Sequence, residues 1–208
     1  MTEPAVPSSP SIFQLRIVLR GISPLVWRRL LVSSHSTIAD LHDALQASFG
    51  WSDDHLHRFE IQGREYGISY LGGIGFRDDA RNVRLESLGL RIGERFVYEY
   101  DFGDGWLHDL RVEQIVLARP ETRLPRCTGG RRAGPPENCG GPWAFQAWRQ
   151  GYRRDEVTSR LLELLVADED ERSDNAWELE DLCRWMVRDD FDRRALNRRL
   201  TTMAERTS

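Results

Sequence analysis

The sequence predicts an α+β protein, in which an antiparallel sheet of N-terminal and central strands with one early helix is followed by a C-terminal group of helices. Apolar and polar residues alternate in several short segments before residue 119, as strands require. Apolar residues recur at helical spacing after residue 142. Because strands come first and helices last, the two kinds of element are expected to form an α+β fold.

The 208 residues have the length and apolar content of a single domain. We expect this domain to cover residues 12–203, with a strand-rich part at 12–119, a long loop at 120–141 and a helical part at 142–203. Residues 1–11 are polar and contain several prolines, so we expect a disordered N-terminal segment and no secretory signal. Since no apolar run is long enough to cross a bilayer, we expect a cytoplasmic protein with no membrane partner.

Two strands open the predicted sheet. Residues 12–22 alternate apolar and polar side chains, and residues 26–32 have strand composition after a break that contains glycine and proline. Strands this close in sequence predict an antiparallel meander. Residues 55–61 alternate again, which places His55 and His57 on the same face.

The helix of the first half is predicted over residues 37–49. Ser36 or Thr37 can cap its first turn, apolar side chains recur at helical spacing, and Gly50 can end it. His42 lies on this helix beside a polar residue, so we expect it at the surface.

Residues 94–117 are predicted to form a hairpin whose aromatic and apolar side chains alternate. A three-residue loop would place Phe102 opposite Trp106 and would set apolar residues against apolar residues. A two-residue loop would pair Asp101 with His108 as a dyad, but it would set the aromatic face against charged residues. We therefore expect the first register.

Helices are predicted throughout the C-terminal part. Residues 155–167 and 175–187 have the apolar spacing of amphipathic helices. Asp189 or Asp190 is expected to cap a last helix. Cys183 is predicted to lie on the apolar face of its helix, in the core.

Composition excludes several classes of enzyme. All 29 basic residues are arginine, so the chain lacks the lysine that a Walker phosphate loop, a Schiff-base or pyridoxal phosphate enzyme, or a protein kinase requires. The net charge of −4 gives no overall basic footprint for nucleic acid. Arginines concentrate near the C-terminus, where a solvated helix surface is the favoured explanation and a weak phosphate-contacting helix is the alternative.

Most candidate functional residues fall within residues 101–141. Asp101, Asp104, His108 and Glu137 are the candidate catalytic residues, because carboxylates beside a histidine can supply acid–base chemistry. The same residue types also suit tight turns and a strand interior. Since no complete triad is visible, structural use is favoured and no catalytic residue is assigned.

A metal site is the second interpretation. The candidate zinc ligands are His55, His57, His108, Cys127 and Cys139. The cysteines are twelve positions apart and do not form a close pair, so free thiols and hydrogen-bonded core histidines explain the same residues. We therefore assign no cofactor and keep zinc as the alternative.

A binding surface is the third interpretation. Arg126, Arg131 and Arg132 lie among glycines and prolines, where guanidinium groups suit phosphates or carboxylates. Trp106 could offer a stacking surface for a base. A solvated loop that covers a sheet edge explains these residues equally well.

Several motifs, in order, resemble those of a known family. They are Trp51 with His55-Leu-His57-x-Phe59, then Tyr100-Asp-Phe-Gly-Asp-Gly-Trp-x-His108, Cys127, Pro135-Pro-Glu-x-Cys-Gly-Gly141, and Asp190-Phe-Asp192 with Asn197-x-x-Leu200. Together they resemble the plasmid pRiA4b ORF-3-like family, which includes passenger proteins of insertion elements. The resemblance implies an α+β protein associated with plasmids and mobile elements, and it brings no catalytic residues with it.

One position departs from the family pattern. Family members commonly read Ala-Cys-Pro-Pro-Glu-Asp where this chain has Ala133-Gly-Pro-Pro-Glu-Asn138. The missing cysteine weakens the interpretation of a metal site that would depend on it.

These residues favour a non-enzymatic binding or accessory module whose partner is nucleic acid or a mobile-element protein. Its interaction surface is expected at the tip of the hairpin and in the loop at 120–141. The alternative is a metal-dependent, zinc-type enzyme with a His/Cys/Asp site at the same place.

Overall fold

The computed structural model describes residues 11–69, 75–119 and 122–207. The segment expected to be disordered lies outside these ranges except for Ser11, which begins the first strand. The α+β class is confirmed, since the strands are N-terminal and central and all helices but the first follow them. No helix in the described ranges is long and apolar enough to cross a membrane.

Eight strands occur in the described part of the chain. They are β1 (Ser11–Leu19), β2 (Trp27–Ser33), β3 (His57–Ile61), β4 (Arg64–Gly67), β5 (Asp78–Asp79), β6 (Arg95–Tyr100), β7 (Trp106–Leu117) and β8 (Arg126–Arg131). The helices are α1 (Ile38–Phe49), α2 (Gly141–Gly151), α3 (Arg154–Val166), α4 (Glu169–Asp174), α5 (Ala176–Met186) and α6 (Arg193–Thr207). A short 3-10 turn covers Leu85–Leu88.

The strands form one sheet in the order β5-β4-β3-β6-β7-β1-β2-β8. Neighbouring strands are antiparallel except β4 and β5. The predicted first pair is confirmed, with Leu15 opposite Leu30. The main core includes one face of this sheet together with the apolar sides of α1 and α6, where Leu41 and Leu200 are fully buried.

Both ends of α1 follow the sequence prediction. Thr37 accepts a hydrogen bond from the N–H of Asp40, and the Asp40 carboxylate accepts one from the N–H of Thr37, which makes a capping box. Gly50 ends the helix in the left-handed region at φ 83°. These two signals fix where the chain leaves α1, and the following residues lead directly to β3.

The predicted register of the β6-β7 hairpin was wrong by two residues. Tyr100 lies opposite Trp106, and Tyr98 lies opposite His108. The loop is longer than expected because Asp101 adopts φ 54° and its carboxylate accepts hydrogen bonds from the N–H groups of Gly103 and Asp104. Because His108 faces Tyr98, the alternative pairing of Asp101 with His108 was also wrong. The apolar faces still meet, since a shift of two keeps every side chain on its own face.

The long loop expected at 120–141 contains a strand. β8 pairs with β2, and Cys127 lies opposite Leu30. On the outer side of β8, the side-chain amide of Asn197 accepts a hydrogen bond from the Cys127 N–H and donates one to the Cys127 carbonyl. Asn197 therefore pairs with β8 as the backbone of another strand would, and it fixes α6 along the edge of the sheet.

The last helix is capped at a different residue from those expected. Asp192 accepts hydrogen bonds from the N–H groups of Arg194 and Ala195 at the start of α6. Asp189 instead accepts side-chain hydrogen bonds from Arg132 and Arg149. Capping at Asp189 or Asp190 was therefore wrong.

The C-terminal helices have a small apolar cluster of their own. It consists of buried residues from α3 and α5, namely Val157, Leu164, Leu182 and Trp185. These two helices match the helices predicted at 155–167 and 175–187. Cys183 is exposed, so its placement in the core was wrong; the neighbouring Leu182 takes the inward position.

Candidate functional site

A polar cluster lies inside the otherwise apolar interface between α1 and the sheet. We call it the histidine cluster, and its members are His42, Gln46, Asp53, His57 and Tyr98. His42 is 0% exposed, so the surface position expected for it was wrong. The reason is that the buried face of α1 is wide and includes polar positions among its apolar residues.

One continuous chain of hydrogen bonds holds the cluster together. Gln46 donates its side-chain N–H to the Tyr98 hydroxyl, with 2.9 Å between the two atoms. That hydroxyl lies 2.8 Å from His42 Nδ1, and His42 Nε2 lies 2.9 Å from Asp53 Oδ1. The simplest assignment has Tyr98 donating to Nδ1 and the Nε2–H of His42 donating to the carboxylate.

Asp53 is the member of the cluster that reaches solvent, with a side chain that is 41% exposed. Its backbone adopts φ 63°, and its N–H donates to the side-chain oxygen of Gln46. Burial pushes the pKa of Asp53 upward, but its interactions with the imidazoles, led by the hydrogen bond from His42, outweigh this and lower it. The carboxylate is therefore charged at neutral pH and connects the buried imidazoles to water.

The ring of His57 stacks on the ring of His42. The two ring centroids are 3.5 Å apart and the rings are 13° from parallel. The Nε2 atom of His57 is buried and has no hydrogen-bond partner among the residues that the structure describes. Burial, together with the nearby charge of His42, lowers the pKa of His57 to about 3, so the ring is neutral with an unshared lone pair.

Three of these residues have the arrangement of metal ligands. One ligand-type atom from each of His42, Asp53 and His57 lies within 4.8 Å of the others. Within the described ranges, no other group of three or more His, Cys, Asp or Glu side chains has this spacing. Of the five ligands predicted from the sequence, His57 alone belongs to the group of His42, Asp53 and His57. Sequence reasoning missed His42 and Asp53, although the spacing of His42 and Gln46 by one helical turn places two polar side chains on one face of α1.

The other predicted metal ligands are dispersed. His55 Nε2 lies 3.6 Å from Asp101 Oδ2, which suits an ion pair but is too long for a hydrogen bond. His108 is fully buried in the sheet. Cys127 is a buried thiol on β8 that donates to the Gly129 carbonyl. Burial and the charge of Asp104 raise the pKa of the Cys139 thiol to about 11, which opposes the thiolate form that zinc would need.

A second polar group anchors the turn that carries Asp53. Tyr100 donates its hydroxyl to Glu137 with 2.5 Å between the oxygens, and the other oxygen of Glu137 accepts from the Ser52 N–H. The Trp51 ring stacks on Tyr100 at 4.9 Å and donates its indole N–H to the Pro135 carbonyl. Burial and the neighbouring Glu137 raise the pKa of Tyr100. The proline-rich motif therefore holds the turn after α1 in place.

The four candidate catalytic residues have different partners. The carboxylate of Asp101 closes the hairpin loop, and the carboxylate of Asp104 accepts from the Gly140 N–H. Glu137 bridges Ser52 and Tyr100. His108 Nδ1 makes a long 3.4 Å contact with the Tyr98 carbonyl. These contacts account for each residue by a structural role.

The predicted binding residues also differ in their exposure and in their partners. Trp106 is 1% exposed and packs against Trp51 and Phe145, so it cannot offer the stacking surface expected of it. Arg132 is held by Asp189 and by the Leu25 carbonyl. Arg131 is exposed on β8, and Arg126 is exposed at the other end of that strand.

Arg126 belongs to a larger basic surface between β8 and α6. A groove of about 1010 Å³ adjoins a second depression of about 650 Å³, and the two share Arg126, Asn197 and Thr201. We call this surface the arginine groove, and the arginines that line it are Arg119, Arg123, Arg126, Arg193, Arg194 and Arg198. Within the described part of the chain, no carboxylate forms an ion pair with any of the six, and Glu205 is the one acidic side chain in the lining.

A family model described as plasmid pRiA4b ORF-3-like protein matches residues 11–199. The chain belongs to this family. The match includes every residue of the histidine cluster and every arginine of the groove, so both features lie in the part of the chain that defines the family.

Two similar proteins extend this result. The uncharacterized protein y4hQ of Sinorhizobium fredii is 35% identical over 137 residues, which are 65% of this chain and 70% of y4hQ. The crystal structure of MM3350, a protein of unknown function from Methanosarcina mazei Go1, matches with a TM-score of 0.61 at 31% identity. The match covers 89% of this chain and 93% of MM3350. Neither description states a function, so function has to be derived from the sites.

Gly134, which stands where family members commonly have cysteine, is explained by its surroundings. A Cβ atom built on Gly134 would lie 2.2 Å from the backbone oxygen of Phe49 at the end of α1. The loop before Pro135 therefore passes α1 more closely than any side chain permits. A side chain at position 134 would therefore require the proline-rich motif to move away from the helix.

Proposed function

We propose that this protein is a non-enzymatic module that binds the phosphate backbone of nucleic acid in the arginine groove. The observation that supports the proposal is the set of six arginines that converge on one groove without ion pairs to carboxylates in the described part of the chain. Elsewhere in the described ranges, eleven of the other 23 arginines form ion pairs with carboxylates, as with Arg20 and Asp109 or Arg160 and Glu178.

The arrangement suits phosphate for chemical reasons. A guanidinium group presents parallel N–H donors that match two phosphate oxygens, and it stays charged at any physiological pH. A row of such groups releases counterions from a polyanion, which favours binding even when the protein as a whole is acidic. The net charge of −4 therefore requires the interaction to be local to the groove.

The groove also indicates which part of the nucleic acid is contacted. It is open to solvent, and its lining consists of arginine, threonine, asparagine and Glu205 beside a few apolar residues. Trp106 is buried and cannot stack on bases. Contacts to phosphates position a protein on nucleic acid and carry no sequence information directly, so we expect binding with little sequence preference.

This location differs in part from the surface predicted from the sequence. Arg126 is retained, whereas the hairpin tip packs against the loop through Asp104 and Gly140. A role beside plasmid or insertion-element DNA in the cytoplasm is part of the proposal; of these, the family description mentions a plasmid alone. A mobile-element protein as the partner is the competing outcome of the experiment below.

The experiment is fluorescence anisotropy with labelled single- and double-stranded DNA over a range of salt concentrations. We expect binding that weakens steeply with salt. The test variant combines Arg126→Ala, Arg194→Ala and Arg198→Ala, and it should reduce the slope of log K against log salt by about 2.7, since each phosphate contact contributes about 0.9.

The matched control combines Arg81→Ala, Arg153→Ala and Arg184→Ala. Each of these exposed arginines forms an ion pair with a nearby carboxylate, and the change in net charge is the same. An equal loss of affinity in both triple variants would overturn the groove as the site. Absence of salt-dependent binding at micromolar protein would overturn nucleic acid as the ligand.

A further inference from the structure

We infer that His42, Asp53 and His57 form a binding site for one divalent transition-metal ion. The three side chains come from α1, from the turn that follows it and from the first residue of β3. Their ligand-type atoms lie within 4.8 Å of one another. The inference is independent of the arginine groove, which lies at the other end of the sheet beside β8.

The distance between His42 and Asp53 fits two ligands of one ion. Their Nε2 and Oδ1 atoms are 2.9 Å apart. Two ligand atoms that are each about 2.0–2.2 Å from the same ion are separated by about this distance when the angle between them is near a right angle. An ion can therefore take the place of the shared proton with little movement of either side chain. The His42 imidazole is then in the other tautomer, in which Nδ1 carries the proton and donates to the Tyr98 hydroxyl.

His57 supplies the second, independent observation. It is 2% exposed, and its Nε2 atom is without a hydrogen-bond partner in the described part of the chain. A buried polar atom left unpaired costs about 1–3 kcal/mol, so such atoms are uncommon unless a water, ion or ligand satisfies them. The unpaired imidazole stacks on His42, and one of its ring nitrogens lies within 4.8 Å of the ligand-type atoms of His42 and Asp53.

The surroundings orient the ligands as in established metal sites. In such sites the nitrogen of a histidine that does not bind metal is held by a hydrogen bond, which fixes the ring. Here His42 Nδ1 contacts the Tyr98 hydroxyl, and Gln46 holds that hydroxyl. Gln46 also accepts from the Asp53 N–H, so one side chain positions two of the three proposed ligands.

The donor set selects the class of ion. Two imidazoles and one carboxylate suit Zn²⁺, Fe²⁺, Co²⁺ and similar ions, whereas Mg²⁺ and Ca²⁺ prefer oxygen ligands. The 41% exposure of the Asp53 side chain leaves one side of the site open to water, which would complete the coordination shell. The site differs from the Cys/His set predicted from the sequence because it uses neither cysteine.

The experiment uses the full chain without a histidine tag, stripped with a chelator and then titrated with Zn²⁺ or Co²⁺. Isothermal titration calorimetry with Zn²⁺ should give one site per chain. Co²⁺ should produce visible d–d absorption bands that report its coordination, and Zn²⁺ should displace it. Asp53→Asn and His57→Gln should each weaken Zn²⁺ binding by at least about a hundredfold and remove the Co²⁺ bands.

His55→Gln is the matched control, because His55 lies two residues from His57 and outside the proposed ligand set. Circular dichroism establishes that each variant is folded, and Asn tolerates the positive φ of Asp53. Absence of stoichiometric binding by the native chain would overturn the inference. Equal Zn²⁺ affinity in Asp53→Asn, His57→Gln and the native chain would overturn it as well.

Discussion

The histidine cluster and the arginine groove differ in whether their polar groups are paired within the protein. In the cluster, nearly every polar atom has a partner, and His42 lies in a continuous chain of hydrogen bonds from Gln46 to Asp53. In the groove, six cations face solvent and form no ion pair with a carboxylate within the described ranges. Because the first region is part of the core and the second is not, changes in the cluster should alter stability and changes in the groove should alter binding.

The largest expected effect on stability is at Trp106, which is buried among aromatic side chains. Trp106→Ala should lower the free energy of unfolding by about 3–5 kcal/mol, because the side chain is 1% exposed and packs between Trp51 and Phe145. Urea denaturation followed by circular dichroism measures this. Unchanged stability together with weaker DNA binding would contradict this expectation, because it would mean that Trp106 contacts DNA and does not support the core.

The next effect is a pH dependence of stability. Complete burial lowers the pKa of His108 to about 3, whereas in the unfolded chain the ring takes a proton near pH 6.5. The unfolded state therefore binds the extra proton between these values, and stability, which is full above about pH 6.5, falls as the pH is lowered.

This loss should amount to about 3 kcal/mol between pH 7 and pH 4, at about 1.4 kcal/mol per pH unit below 6.5. Urea denaturation over this pH range should show a flatter dependence for His108→Leu than for the native chain. His35→Gln is the control, since His35 is exposed and pairs with Glu86. An equal slope in the native chain and in His108→Leu would contradict the assignment.

A smaller effect is expected at the contact between the proline-rich motif and α1. Gly134→Cys, which restores the residue common in the family, should destabilise the fold by about 1–3 kcal/mol, because its Cβ would meet the Phe49 carbonyl. Gly75→Ala is a control with open space around the added atom. Thermal unfolding compares the two, and a Gly134→Cys variant as stable as the native chain would show that the loop can move away.

The smallest expected effect on stability is in the groove. Arg126→Ala should change the free energy of unfolding by no more than about 0.5 kcal/mol, since the side chain is exposed and unpaired. The same substitution should reduce the salt slope of DNA binding by about 0.9. A large loss of stability would mean that the groove is part of the core, and the two regions would no longer differ in the way described.

The sequence predicted elements best where several local signals agree. For α1, the cap at Thr37, the apolar period and Gly50 coincide, and both ends were correct. The hairpin had a correct pattern and a wrong register, because period-two alternation does not distinguish pairings that differ by two residues. The turn formed by the Asp101 carboxylate decided between them.

The sites depended on contacts that local patterns do not contain. β8 reads Arg-Cys-Thr-Gly-Gly-Arg, a poor strand sequence, and it forms because β2 and Asn197 supply partners on both sides. The histidine cluster joins residues from three separate elements, and its key member His42 resembles a surface residue in its own helix. Residues 126 and 193–198 converge because α6 packs along β8, which requires the complete sheet.

Asn197 has a consequence for the behaviour of the protein in solution. The outermost strand of a sheet offers unpaired N–H and C=O groups that can recruit a strand from another molecule. At Cys127 the side chain of Asn197 occupies these groups, and α6 runs along the strand. Detachment of α6 would turn β8 into a template for intermolecular β-pairing, so the helix that supplies half of the groove's arginines also protects the protein from aggregation.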